Sequence, residues 1–160
     1  MAYGLIKIGA LNVRKKDNCF NLITDVSDNG VAKELFFTVD IRYAEYLTTE
    51  RSDAFVTALL YYAMFKGYDI QWKIPCTEQL IYQLATYYIP ICAKEIPFMH
   101  PISLIGETTS EVLQCKGGVG TGFSGGGRFL LYDKKASGNS LYRKQINTFI
   151  IYELFYCGFL

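Results

Sequence analysis

Three short runs, Tyr3 to Gly9, Phe20 to Val26 and Glu34 to Val39, mix apolar and polar residues with the β-branched and aromatic content of strands. Between the last two stands Asp28-Asn29-Gly30, a strong turn signal, because Asn and Gly accept left-handed backbone at little cost. A small antiparallel sheet is expected from these runs. The pattern then changes at Thr49-Glu50-Arg51-Ser52-Asp53. Ser52 is placed as an N-cap, Asp53 suits the positive end of a helix dipole, and Gly67 is a natural C-terminal stop. The helix between them is apolar on most sides, through Phe55, Val56, Leu59, Leu60, Tyr62, Ala63 and Met64, and is expected at the centre of the core.

Further along, Ile70 to Ile74 reads as a strand carrying the single tryptophan, Trp72. Thr77 then opens a second helix with Leu80, Ile81, Leu84, Tyr88 and Ile91 at helical spacing, which Pro90 kinks or ends. Ile102 to Ile105 is another short strand, and Thr108 to Glu111 a polar turn. The fold class expected is α+β, a small antiparallel sheet packed with two main helices and followed by a glycine-rich loop and an apolar tail. Three regions follow: an α+β domain over 1–118, a loop over 119–126 and a tail over 127–160.

Composition narrows the picture mostly by exclusion. A chain of 160 residues that is 51% hydrophobic and 16% aromatic is long enough and apolar enough for one domain with a real core. A net charge of +1 offers no overall basic face for nucleic acid, and no nucleic-acid partner is expected. Cys19, Cys76, Cys92, Cys115 and Cys157 are scattered, odd in number and never spaced as CxxC, so reduced thiols are expected rather than disulfides or a zinc site. The start of the chain lacks the basic leader and cleavage site of a signal peptide. The longest apolar stretch, Ala54 to Phe65, is too short to span a bilayer, and a cytoplasmic location is expected.

Only the run from Gly117 to Gly127, reading GGVGTGFSGGG, carries a pattern that names a chemistry. Glycines at this density leave main-chain N–H groups free to turn together toward one anion, which is how a loop cradles phosphate. Within the run, Thr121-Gly122-Phe123-Ser124-Gly125-Gly126 resembles the start of the PP-loop of N-type ATP pyrophosphatases, an apolar strand followed by Ser-Gly-Gly-x-Asp-Ser and a helix. The first 118 residues likewise resemble the amino-terminal region of bacterial PP-loop proteins. The resemblance implies a phosphate site made by Thr121, Gly122, Ser124, Gly125 and Gly126, with ATP and Mg as cofactors. It also implies an adenylating reaction: ATP activates a carbonyl or carboxylate oxygen, pyrophosphate leaves, and an amine, ammonia or sulfur nucleophile displaces AMP.

The chain departs from that family where Asp and Ser are expected, because Arg128 and Phe129 stand there. An arginine attracts phosphate but cannot ligate a cation. The genetic code supplies an account of the mismatch. Val-Asp-Ser is encoded GTN-GAY-TCN, and one additional G in the glycine codons makes the frame GGT-NGA-YTC, which reads Gly-Arg-Phe as at Gly127, Arg128 and Phe129. Leu130 follows through CTT if the parent's next residue is Phe. The expectation is a PP-loop protein as far as Gly126 and an out-of-frame tail beyond it. The family's loop sits between the first strand and first helix of a parallel nucleotide-binding domain, with Val119 to Phe123 as that strand, and the rest of such a domain does not fit in residues 127–160. The chain is therefore read as a remnant or amino-terminal fragment of an ATP-dependent adenylating protein, inactive as written, with no catalytic or metal-ligating residue assigned and little or no ATP binding.

Other readings of the same residues carry less. Gly120-x-Gly122-x-x-Gly125 satisfies GxGxxG without a following βαβ unit, and Gly126 stands where a Walker A loop needs lysine. Gly122-x-Ser124-x-Gly126 has the form of a nucleophile elbow, for which only His100 and an acid such as Asp53 are at hand. His100 reads better as a turn residue. The cluster Thr49 to Asp53 reads as a capped helix start with Arg51 paired to Glu50 or Asp53, and the pairs Tyr61-Tyr62 and Tyr87-Tyr88 read as core and rim. The alternative function is a non-enzymatic α+β interaction module, the glycine run serving as linker and the apolar tail docking a partner or a second copy.

Overall fold

A computed structural model describes residues 3–113 and the backbone of a strand at 156–159. The protein is α+β. Three strands, β1 (Gly4–Lys16), β2 (Cys19–Asp28) and β3 (Val31–Asp40), form an antiparallel meander, and a 3₁₀ turn over Ile41–Tyr46 leads to helix α1 (Asp53–Lys66). Strand β4 (Tyr68–Trp72) follows, then β5 (Cys76–Thr77), helices α2 (Glu78–Gln83) and α3 (Ile89–Glu95), β6 (Leu104–Ile105), β7 (Thr108–Thr109) and β8 (Tyr156–Phe159). The main sheet is six-stranded in the order β6-β4-β1-β2-β3-β8, and β5 and β7 form a separate small ladder.

The sheet is larger than the antiparallel one expected, and mixed. β1, β2 and β3 pair antiparallel, whereas β4 runs parallel to β1 and β6 parallel to β4. The parallel half exists because α1, and then α2 with α3, return the chain to the same end of the sheet before each new strand. The turn at Asn29-Gly30 forms as expected, both residues with positive φ (49° and 95°), the requirement of a two-residue type I′ hairpin.

β1 outruns its sequence signal because of an irregularity in its pairing with β2. The register slips between Ile8 and Leu11, so Gly9 and Ala10 face one partner residue. This bulge inverts the alternation, and Ile6, Ile8 and Leu11 all reach the buried face although their spacing is not uniformly two. A Cβ at Gly9 would lie 3.1 Å from the Asp25 carbonyl oxygen, a close approach that a larger residue meets only by displacement.

One face of the sheet carries the core. Ile6, Ile8, Leu22, Val26, Leu35 and Ile70 pack against α1, whose Phe55, Val56, Leu59, Leu60, Ala63 and Met64 are all buried. Burying each of the larger of these side chains, Ala63 excepted, stabilises by roughly 1.5–3 kcal/mol. The other face presents the exposed Lys7, Asn12, Arg14 and Asp25, with Ile23 buried between Asn12 and Phe36 on neighbouring strands. Gly67 ends α1 in left-handed conformation (φ 69°), its N–H donating to the carbonyls of Ala63 and Met64.

Tyr62, expected in the core, lies at its rim, where its hydroxyl donates to Asp28 Oδ2 at 2.7 Å. That hydrogen bond, then burial, pushes the Tyr62 phenol up to about 12. The folded state therefore holds this proton at pH values where an unfolded tyrosine, near 10, has lost it. The stabilising contribution is complete below pH 10 and falls away as pH rises from about 10 to 12. Urea titrations at stepped pH should show wild type losing stability relative to Tyr62→Phe across that window; parallel curves would contradict the assignment.

The second helix does not stop at Pro90. Between α2 and α3 the chain makes a π turn over Leu84–Tyr88, in which the Ile89 N–H donates to the Leu84 carbonyl. The widened turn lets the helical path continue through a residue that lacks an N–H and would press its ring on the carbonyl four residues back. It also adds one residue to the phase. Leu84 and Ile89 are buried, while Tyr88 and Ile91, which simple spacing placed inside, are exposed. Tyr61 and Tyr87 are exposed too, so both tyrosine pairs belong to the rim alone. Among the described residues no helix is long and apolar enough to cross a membrane.

Candidate functional site

Thr121, Gly122, Ser124, Gly125 and Gly126, together with Arg128 and Phe129, lie outside the described residues. The last described residues before them follow β6, which pairs parallel to β4, and the carboxyl ends of parallel strands are where helix N-termini gather and ligands are commonly held. Here that end is closed by a hydrogen-bonded junction.

The junction is built from the starts of α1 and α2. Asp53 accepts from the Thr77 N–H at 2.8 Å and from the Thr77 hydroxyl at 2.5 Å, so a carboxylate in the first turn of α1 satisfies the first residue before α2. The Ser52 N–H donates to the Pro75 carbonyl at 3.2 Å. Ser52 occupies the N-cap position, as expected, but its side chain makes no capping hydrogen bond and its buried Oγ has no partner among the described residues. Its φ and ψ of −86° and 4° explain this, since an N-cap side chain reaches the N2 or N3 amide from extended backbone.

Arg51 corrects a second expectation. Its guanidinium pairs with neither Glu50 nor Asp53 through their carboxylates; it donates to two main-chain carbonyls, those of Glu50 (2.9 Å) and Glu111 (3.0 Å). The side chain is buried, and the long-range bond fixes residue 111 beside the start of α1. The segment before it is held as tightly. Trp72 Nε1 donates to the Glu107 carbonyl at 2.8 Å, the Cys76 N–H donates to the same carbonyl at 3.0 Å, and Cys76 and Thr77 pair with Thr108 and Thr109. At Gly106 an added Cβ would lie 2.4 Å from the Trp72 ring, so only glycine lets the chain pass the indole. The polar turn expected at Thr108 to Glu111 is thus a short strand and an anchor.

The chemistry available in this junction is restricted. Burial pushes the Cys76 thiol up, and the neighbouring Asp53 charge pushes it the same way, so it stays protonated at neutral pH and is a poor nucleophile. No base is hydrogen-bonded to Ser52 Oγ among the described residues. His100 sits at the other end of α1, its N–H donating to the Met64 carbonyl and its ring edge-on to Tyr3. A 14-residue helix places Asp53 and His100 roughly 20 Å apart, which rules out a shared triad with Ser124. Among the described residues no group of three His, Cys, Asp or Glu side chains is placed to hold a metal ion. A groove of about 440 Å³ lies where β1 leaves β4, lined by Lys7, Asp25, Ser27, Gln71 and Lys73 together with the apolar Ile8, Val26, Ala32 and Trp72.

Sequence reasoning missed Arg51, Trp72 and Gly106 as anchors of the exit segment. Only Gly106, just past an apolar run, carried any signal for a close approach. No family model matches the chain, and neither does any curated protein or solved structure.

Proposed function

We propose that residues 1–118 are the amino-terminal α+β domain of an ATP-dependent adenylating protein, and that the phosphate-type loop following it is inactive as written. The observation that carries the reading is the run Thr121-Gly122-Phe123-Ser124-Gly125-Gly126 followed by Arg128 and Phe129. Ser124, Gly125 and Gly126, with Thr121 and Gly122, are the residues for the outer phosphates of ATP; main-chain amides there would stabilise charge that develops as the α-phosphorus is attacked. Mg, the cation implied by the same resemblance, finds no acid at position 128. Arg128 draws the phosphates but leaves the metal without its ligand. The anchored segment ending at Glu111 supports the reading because it fixes the point from which such a loop departs.

ATP–pyrophosphate exchange tests it. The chain should exchange labelled pyrophosphate no faster than its Ser124→Ala variant, with magnesium present and carboxylate substrates supplied in mixture. Exchange above that control overturns the reading.

A specific observation favours the second reading, a non-enzymatic interaction module with a docking tail: Tyr156–Phe159 adds to the sheet as β8, antiparallel to β3. On that reading the apolar segment supplies contacts rather than chemistry, and self-association through it follows.

A further inference from the structure

The edges of the sheet are unequal. At one side β6 is two residues long, too short to template another strand. The stretch of β1 that β4 leaves unpaired, beyond Ile8, carries a bulge at Gly9-Ala10 and the exposed cations Arg14, Lys15 and Lys16. A bulge and basic side chains are the devices that keep a free edge from pairing. β3 has none of them along its middle. It is ten residues long, contains neither proline nor glycine, pairs with β2 without a register break, and presents Leu35-Phe36-Phe37-Thr38 consecutively.

That apolar stretch is where β8 pairs, with Leu35 opposite Phe159, Phe36 opposite Gly158, Phe37 opposite Cys157 and Thr38 opposite Tyr156. Two features make the donor exchangeable. Among the described residues β8 pairs with four positions of β3, a short ladder at the low end of local stability. Residues 114–155 intervene between the described domain and β8, a length with an upper reach on the order of 140 Å, so chain length alone permits the edge of either molecule to be used.

We propose that β3 is an acceptor edge at which residues 156–159 of a second copy replace the chain's own, giving a reciprocal, two-fold strand-exchanged dimer. Because each copy both donates and accepts, the contact closes on itself and does not propagate. The inference rests on the docking-tail reading and is independent of any phosphate site. Exchange between copies is second order in protein, so the exchanged dimer grows with protein concentration.

Disulfide trapping in the full chain tests it. Phe36→Cys and Gly158→Cys variants, made with the native cysteines replaced by alanine and carried on differently sized tags, are mixed and mildly oxidised. The expected result is a mixed cross-linked dimer that increases with protein concentration and exceeds by several-fold the yield when Glu34→Cys replaces Phe36→Cys, since a disulfide needs the paired register. Equal yield from Glu34→Cys marks unspecific contact and overturns the proposal. If the double variant Phe36→Cys/Gly158→Cys closes within one chain and no mixed dimer forms, docking stands and exchange fails. If neither closure nor dimer forms, the acceptor edge itself is refuted.

Discussion

Phe55→Ala is expected to cost about 3–5 kcal/mol, the range for truncating a fully buried aromatic side chain. Phe55 is fully buried, and its ring lies 5.0 Å from that of Phe37 on the sheet, so the cavity would open between the two layers where neither can collapse alone. Against a total stability of roughly 5–15 kcal/mol for a domain of ordinary size, that loss leaves a substantial unfolded population. Urea unfolding monitored at Trp72 should move the midpoint strongly while leaving the slope unchanged. Phe55→Leu should recover most of the loss. A cost for alanine below about 1 kcal/mol would mean that α1 is not the centre of this core.

Asp53→Ala should cost about 2–3 kcal/mol, because two hydrogen bonds to a carboxylate disappear and the part-buried Thr77 amide is left without its acceptor. Thr77→Val, which keeps the amide bond and loses only the hydroxyl contact, should cost less. The loss should also be local. Amide exchange should quicken at the first turn of α2 and in the ladder of Cys76 and Thr77 with Thr108 and Thr109, before the meander responds. If exchange rises equally in β2, the carboxylate acts on the whole fold and not on the junction that holds the exit segment.

The fold was legible wherever the chain keeps an unbroken period. Asn29-Gly30, the start of α1 near Asp53, its stop at Gly67 and its buried apolar residues follow from local chemistry, and all of them form. Legibility failed where one residue is inserted into the period. The bulge at Gly9-Ala10 inverts alternation and hides the rest of β1, and the π turn at Leu84–Tyr88 rotates the helix so that Ile89 takes the buried place assigned to Tyr88. Pro90 and Gly9 stand beside these insertions, but neither residue type alone says that a π turn or a bulge will form there. The parallel pairing of β4 with β1 was equally out of reach, since strand order depends on contacts distant in sequence.

The candidate site divides along the same line. Its glycines and serine suggest a phosphate-type loop from residue type alone, since backbone freedom and the lack of an acid at Arg128 are read from the sequence, and these residues lie outside the described ones. The anchoring of the approach was not legible. Arg51 finds main-chain carbonyls where its sequence neighbours offered carboxylates, and the Trp72 contact at Gly106 joins two segments that come together only when β4 and β6 align.

The most direct test of the central claim, that this loop began as an ATP-binding loop and lost its metal-ordering acid through one inserted base, is the nucleotide sequence of the gene across the glycine codons. Removing one base there is predicted to open a long frame that reads Val-Asp-Ser at positions 127–129 and continues as a parallel nucleotide-binding domain. A frame that closes soon after, or that resumes without Asp-Ser, would contradict it.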